Sequence, residues 1–245
     1  MNSCQPVVSM GEQTAHPAAA PSAHTAGGSD YREIVLLSDP RVGEIPVVEC
    51  GEPLVELDGT FGPAHAPVRA GVAQRLHEAQ HLLPGGLRLE VVEGYRHPCD
   101  QQRIIDGYSA EVLAEHPDID AHRLEVLTSR FVAPIAVAPH VAGAAIDLTL
   151  VDADGPLDMG TPIDATPERS ASRCYFDAPH ISAEARALRS VLAGALEPVG
   201  LVNYPTEWWH WSHGDRYWAL VTGGTAAVYG PTQPRHQLCV PDTRS

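Results

Sequence analysis

Residues 144–150 read Ala-Ala-Ile-Asp-Leu-Thr-Leu, and this stretch decides the fold prediction. Ile146, Leu148 and Leu150 alternate with small or polar residues, which is the period-two pattern of a β-strand with one apolar face. A similar alternation at residues 87–92 follows a Pro-Gly-Gly sequence at 84–86 that ends the preceding segment. The sequence therefore predicts strands near residues 87–92 and 144–150.

Helical patterns lie between and around these strands. Apolar residues recur every three or four positions over residues 67–83, which predicts a helix opened by Pro67. Residues 98–130 are predicted to be mostly helical, with a break near 116–118, and Ser182 is predicted to cap a further helix. Several short strands are expected after residue 201. Because the strands lack a regular βαβ rhythm, we predict a single α+β domain, with helices packed around a mixed or antiparallel sheet.

Composition divides the 245 residues into three parts. Residues 1–28 are rich in Ala, Pro, Ser, Thr and Gly, and they do not show the basic start and apolar block of a secretory signal. We predict a disordered tail at 1–28, a folded domain at 29–230 and a C-terminal extension at 231–245. No run approaches the roughly 18 apolar residues of a membrane helix.

Charge excludes several classes of partner. The 16 basic and 31 acidic residues give a formal charge of −15, which disfavours binding to nucleic acid or to an anionic membrane surface. All the basic residues are arginine, so chemistry that needs a lysine amine is excluded. The five cysteines are widely spread and never spaced Cys-x-x-Cys, which argues against a disulfide framework and favours a reducing compartment. We therefore predict a cytoplasmic protein.

His140 and Asp147 are candidate metal ligands. His140 follows Pro139 in a predicted loop, and Asp147 lies on the strand face opposite Ile146. An imidazole and a carboxylate that converge in this way suit a borderline divalent ion. The alternative is that Asp147 faces solvent and His140 is a surface loop residue. A third ligand would favour the metal, and His210 is the best candidate.

All four tryptophans fall within residues 208–218, interleaved with Glu207, His210 and His213. This cluster predicts either an aromatic patch packed over the sheet or a pocket wall that holds ionisable groups. Glu207 and His210 are three residues apart and would face opposite sides of a straight strand. For both to reach one metal, Glu207 must lie in a turn after residues 205–206, or the strand must bulge.

Four motifs resemble a known family. They read, in order, Glu-Gly-Tyr-Arg-His-Pro at 93–98, Pro-His-Val-Ala-Gly-Ala-Ala-Ile-Asp-Leu-Thr-Leu at 139–150, Met-Gly-Thr-Pro-Ile-Asp at 159–164 and Glu-Trp-Trp-His at 207–210. Together they resemble the VanX-type D-alanyl-D-alanine dipeptidases, zinc metallopeptidases related to the Hedgehog-type DD-peptidases. The resemblance implies that residues 29–230 form a dipeptidase-like catalytic domain with a central zinc cleft.

Carried over by position, the resemblance implies one zinc ion per chain, held by His140, Asp147 and His210. It implies that Glu207 is the catalytic base, which assists attack by metal-bound water on the peptide bond. It also implies that Arg96 stabilises the transition state. The expected reaction is hydrolysis of D-Ala-D-Ala, or of a similar small dipeptide with a free amino terminus.

Two further positions concern the substrate. Asp164 aligns with an acidic residue that meets the amino group of the dipeptide in the family. Ala138 stands where the family has a serine that helps to hold the substrate carboxylate, and His97 separates the arginine from the proline of its motif. These departures leave the second substrate residue open.

Three alternatives remain at the level of sequence. Two histidines and one carboxylate also form the metal set of non-haem Fe(II) oxygenases. A related metal-dependent peptidase or amidase on another small peptide is favoured by Ala138. A non-catalytic binding protein is disfavoured, because ligands, base and arginine are all present. The predicted partner is a small dipeptide, and no oligomeric state is predicted.

Overall fold

The computed structural model describes residues 34–233. The predicted tail at 1–28 and residues 234–245 of the predicted extension lie outside the described residues. The helices are α1 Pro40–Glu44, α2 Ala70–Gln80, α3 Pro98–Glu115, α4 Ala121–Thr128, α5 Pro167–Ser170, α6 Ala183–Leu196 and α7 Arg216–Thr222. The strands are β1 Leu54–Glu56, β2 Pro67–Arg69, β3 Arg88–Glu93, β4 Ala145–Val151, β5 Val202–Asn203 and β6 His210–Ser212.

The α+β prediction is confirmed. Four strands form an antiparallel sheet in the order β3-β4-β6-β5, and β1 and β2 form a separate antiparallel pair. Strand β4 pairs on both edges and is buried along its whole length. Ile146, Leu148 and Leu150 belong to the main apolar core, to which α2 and α6 also contribute. The alternative in which Asp147 faces solvent is therefore excluded, because Asp147 and Thr149 are buried too.

The predicted helices are largely confirmed, with one correction near Pro67. Residues Pro67–Arg69 pair with β1 as a strand, so the helix begins at Ala70. The predicted break in the long helical region falls between the end of α3 and Asp120, whose side chain caps α4. Ser182 caps α6 as predicted, through its hydroxyl and the amide of Ala185.

The C-terminal part differs from the prediction. The short strands β5 and β6 are present, but residues Arg216–Thr222 form a helix, which the carboxylate of Asp215 caps at the amides of Tyr217 and Trp218. After this helix, Ala227 forms a parallel β-bridge with Val47, which lies before β1.

Two further observations bear on the composition arguments. No helix within residues 34–233 has the length and hydropathy needed to cross a membrane. Cys50 and Cys174 are free thiols.

Candidate metal centre

Strand register brings two of the predicted ligands together. Asp147 of β4 lies directly opposite His210 of β6 and, on its other edge, opposite Glu93 of β3. The Nδ1 atom of His210 is 3.1 Å from Oδ1 of Asp147. Because neighbours across a sheet project to the same face, the register alone places this carboxylate and this imidazole on one side of the sheet.

His140 reaches the same point from the loop that precedes β4. Its Nε2 lies 3.3 Å from Oδ2 of Asp147 and 3.1 Å from Nδ1 of His210. Its Nδ1 lies 2.6 Å from the carbonyl oxygen of Gly94 and donates a hydrogen bond to it, which leaves the Nε2 lone pair directed at the other two ligands. Within the described part of the chain, these three residues form one group whose ligand atoms lie within 4.8 Å of one another.

The loop that carries His140 is held from behind by Arg69. The Nε of Arg69 donates to the carbonyl of Ala142, and its backbone amide donates to the carbonyl of Gly143. Gly143 has a φ of 65°, and a Cβ added there would lie 2.4 Å from Cδ2 of Leu54. The left-handed turn therefore favours glycine, and an added Cβ would also force the Leu54 side chain to move.

The electrostatics fit a divalent cation. Burial alone would raise the pKa of Asp147, but the two imidazoles beside it hold that pKa well below its usual value, so the carboxylate stays ionised. Two imidazole nitrogens and one carboxylate oxygen are donors that zinc accepts, and three protein ligands leave a position open for water or substrate. The residues present therefore fit the zinc ion that the sequence predicts.

Glu207 lies in a turn, as its spacing from His210 requires. The amide of Glu207 donates to the carbonyl of Tyr204, and the Asn203 side chain donates to the carbonyl of Glu207. Its Oε2 lies 3.8 Å from Nδ1 of His210. Burial, together with the neighbouring carboxylate of Asp147, raises the pKa of Glu207 well above its usual value.

Arg96 lies beside the ligand group, on the segment that follows β3. Its Nε and Nη2 donate to the two carboxylate oxygens of Glu93 at 2.7 and 2.5 Å, and its Nη1 donates to Oε1 of Gln101 at 2.9 Å. Its Nη2 also lies 3.9 Å from Oδ2 of Asp147. Because a guanidinium carries five N–H groups, donors remain for a further acceptor.

A single cavity of about 230 Å³ contains all seven residues singled out from the sequence. Asp164 and Ala138 form parts of its wall, together with Leu37, Phe131 and Trp209. Asp164 has a φ of 63°, so its loop holds a non-glycine residue in the left-handed region. Its side chain is exposed at the cavity mouth, although partial burial and the nearby carboxylates raise its pKa.

The tryptophan cluster serves both predicted purposes. Trp209 lines the cavity, whereas Trp208 and Trp211 are packed in the main core and Trp218 belongs to α7. Gln101 was not predicted from the sequence; it is buried and hydrogen-bonded to both Arg96 and the carbonyl of Ala133. Its spacing of three residues after a helix-starting Pro98 is the one local signal that could have indicated an inward-facing position.

Residues 68–224 match the M15 peptidase family described as D-Ala-D-Ala dipeptidase. The chain is 30% identical, over 237 residues, to a D-alanyl-D-alanine dipeptidase of Synechocystis sp., an alignment that covers 79% of this chain and 92% of the relative. Two solved structures are also similar. One is a mutant of the vancomycin-resistance D,D-pentapeptidase VanY in complex with Zn(II), with 18% identity, coverage of 66% of this chain and 78% of that one, and a TM-score of 0.36. The other is VanYB in complex with D-alanine-D-alanine, with 16% identity, coverage of 76% and 94%, and a TM-score of 0.38.

Proposed function

The chain belongs to the D-Ala-D-Ala dipeptidase family of M15 peptidases, and from that membership we propose that it is a zinc metallopeptidase that hydrolyses D-Ala-D-Ala or a similar small dipeptide with a free amino terminus. The observation that carries the proposal is the convergence of His140, Asp147 and His210 beside Glu207 in one small cavity. Family membership favours a peptidase over an Fe(II) oxygenase with the same ligand set.

His140, Asp147 and His210 would hold one zinc ion. When bound, zinc would act as a Lewis acid on the scissile carbonyl and lower the pKa of a water molecule. Glu207 would take the proton of the attacking water and return it to the leaving amine. Burial raises the pKa of Glu207, and a carboxylate that binds a proton more tightly is the stronger base for this step.

Arg96 would stabilise the negative charge that develops on the carbonyl oxygen. Glu93 and Gln101 fix the guanidinium before substrate arrives, so no reorganisation is needed during the reaction. Loss of a preorganised donor of this kind typically costs about 3–4 kcal/mol of transition-state stabilisation.

Cavity size and charge support a small substrate with a free amino group. A volume of about 230 Å³ lies below the roughly 300–1,000 Å³ of pockets for drug-sized ligands, which favours a dipeptide over a longer chain. Asp164 would bind the free ammonium group at the cavity mouth. Because its side chain is exposed, a blocked amine loses a charged hydrogen bond worth about 1.5–3 kcal/mol rather than leaving a fully buried charge.

A dipeptide panel tests the proposal. Zinc-loaded protein should hydrolyse D-Ala-D-Ala, and N-acetyl-D-Ala-D-Ala should react about 10- to 100-fold more slowly. Metal-free protein and the variants His140→Ala and His210→Ala serve as inactive controls. Absence of hydrolysis of every D,D-dipeptide, with activity on another small peptide or amide, would favour the related peptidase or amidase instead.

A substitution at Ala138 tests how the carboxylate end of the substrate is bound. An alanine offers no hydroxyl to the substrate carboxylate, so KM for D-Ala-D-Ala should be high or the choice of second residue relaxed. Ala138→Ser should lower KM for D-Ala-D-Ala, and an unchanged KM would show that another donor, such as His97, already serves the carboxylate.

The remaining predictions concern which residues form the catalytic unit and where in the cell the protein lies. We propose that the catalytic unit spans residues 29–230, which contains the family match at 68–224. The cytoplasmic location stays a prediction from composition.

A further inference from the structure

Arg189 of α6 is a buried cation that the proposed reaction does not use. Its side chain is only 1% exposed, and among the described residues no carboxylate lies within ion-pair distance of it. Burying an unpaired charge is costly unless hydrogen bonds compensate for lost hydration. A buried arginine at such a position therefore needs hydrogen-bond acceptors around its guanidinium group.

Four backbone carbonyls accept hydrogen bonds from Arg189. The Nε of Arg189 donates to Met159, its Nη1 donates to Tyr175 and Phe176, and its Nη2 donates to Arg173, at distances of 2.6–3.1 Å. Met159 lies near the start of the segment between β4 and α6, and the other three acceptors lie beyond its middle. One guanidinium thus ties together two distant parts of this segment.

The tied segment contains Asp164. The segment of residues 159–173 begins and ends at a carbonyl that accepts a hydrogen bond from Arg189. Asp164 lies between these two carbonyls in the sequence, in the left-handed conformation already described. Left-handed backbone in a non-glycine residue persists only where surrounding contacts impose it. The attachment of both ends to Arg189 supplies such a constraint.

The same segment is bonded to the turn that carries Glu207. The amide of Trp208 donates to the carbonyl of Cys174, and the amide of Phe176 donates to the carbonyl of Pro205, each at 2.9 Å. The guanidinium of Arg189 also lies over the Trp208 ring, 5.6 Å from its centroid. The indole of Trp208 donates in turn to the hydroxyl of Thr161, three residues before Asp164.

We infer that Arg189 is a positioning residue that fixes Asp164 relative to Glu207, and that it thereby sets the selectivity for substrates with a free ammonium group. The inference rests on the proposed roles of Asp164 and Glu207, and it adds a residue that contacts neither the cavity nor the metal ligands. Arg189 acts through backbone carbonyls, so its loss should mainly affect binding of the amino end.

Two substitutions and one matched control test the inference. Arg189→Met removes every donor, and Arg189→Lys keeps the charge but cannot reproduce the planar fork that reaches four acceptors. Arg186→Met is the control, because Arg186 lies on the same helix and donates to Ala178 and Pro179, at the far end of the same segment. All three proteins are compared zinc-loaded, with zinc content and melting temperature measured.

The expected result is a split between kinetic parameters. Both Arg189 variants should raise KM for D-Ala-D-Ala about tenfold or more, and the preference over N-acetyl-D-Ala-D-Ala should fall towards one. Zinc content should stay unchanged, and Arg186→Met should behave as wild type. A zinc-loaded Arg189 variant with wild-type KM and wild-type preference would overturn the inference. If Arg189→Met does not fold, Arg189→Lys decides by the same ratio.

Limited trypsin digestion provides a second measurement that does not depend on activity. Arg169 lies within the tied segment and is exposed, so trypsin cleavage there reports on its mobility. Cleavage at Arg169 should be several-fold faster in Arg189→Lys than in Arg186→Met or wild type, and equal rates would contradict the inference. If wild type hydrolyses no dipeptide, the proposed function fails, while digestion still decides whether Arg189 holds the segment.

Discussion

Glu207 lies beside the proposed metal ligands because its backbone is in a turn rather than in a strand. The hydrogen bonds from the turn's own amide and from Asn203 hold its backbone, and the carboxylate then lies 3.8 Å from His210. Glu207 is not one of the three grouped residues that could hold a metal ion. The proposed base and the proposed ligands are therefore separable by substitution.

We expect Glu207→Gln to bind zinc as wild type does but to lose about 10²- to 10⁴-fold in turnover, because an amide cannot accept the proton. Metal analysis and D-Ala-D-Ala hydrolysis are measured on the same preparation. Glu197→Gln, an exposed carboxyl-to-amide change on the surface, is the control and should leave both unchanged. Joint loss of zinc and turnover in Glu207→Gln would mean that Glu207 is itself a ligand.

Chemically distinctive side chains can be assigned a role from the sequence, whereas ordinary polar side chains cannot. His140, Asp147 and His210 could be named because their side chains suit a divalent ion and because the four motifs resemble the dipeptidase family; the side chains alone left a surface position for His140 and Asp147 open. Gln101 looks like any polar residue of a helix. Its contact with Arg96, five residues earlier in the chain, depends on where α3 begins, and the spacing from Pro98 is the one local sign of that position.

The loop between His140 and β4 is held in place by hydrogen bonds to its backbone carbonyls. Its carbonyls are bonded from three directions: the amide of Arg96 to His140, the amide of Thr232 to Val141, and the side chain of Arg69 to Ala142. The loop must also turn through the left-handed conformation at Gly143. Ligand position therefore depends on backbone geometry as well as on side chains.

We expect Gly143→Ala to weaken zinc binding, because the added Cβ would displace either Leu54 or the loop that carries His140. Gly223→Ala is the matched control. Gly223 also has a positive φ, of 74°, but has no neighbouring atom within 4 Å. Both variants should lose about 1–2 kcal/mol of stability from left-handed strain. Only Gly143→Ala should lose zinc affinity in competition with a chelator, and equal affinities would contradict this account.

Elements were predicted best where one pattern dominated. Helices α3, α4 and α6 follow from spacing and capping residues, which act locally. Helix α7 was missed, because its aromatic and β-branched composition resembles a strand, whereas the Asp215 cap and packing against α1 make it helical. The burial of Asp147 could not be predicted from β4, since it depends on β3 and β6 pairing on both sides.

Besides His140 and His210, the described part of the chain buries His213, which does not line the cavity. His213 follows β6, is only 6% exposed, and donates from Nδ1 to the carbonyl of Gly200 at 2.7 Å. Burial, assisted by the nearby Arg75, lowers the pKa of His213 to about 4. The folded state thus holds this imidazole neutral at a pH where the unfolded chain protonates it.

Stability should therefore fall as the pH falls from about 6.5 towards 4. In that interval the unfolded state binds the extra proton, so His213 should cost about 2 kcal/mol of unfolding free energy between pH 7 and pH 5. His213→Asn keeps an N–H donor but does not titrate, so its urea-unfolding free energy should change less over the same interval. A pH dependence identical to that of wild type would contradict this assignment.

Metal binding should couple the site to the stability of the whole domain. The three ligands come from a loop and from two strands of the central sheet, so an ion held by all three binds only the folded chain. Zinc at about 100 times its dissociation constant would add about 2.7 kcal/mol, which corresponds to roughly 5–10 °C in melting temperature for a domain of this size. Chelation of the metal should lower the melting temperature of wild type by that amount. His140→Ala should show no zinc-dependent shift, because two remaining ligands bind the ion far more weakly. A shift of the same size in His140→Ala would place the stabilising ion elsewhere on the chain.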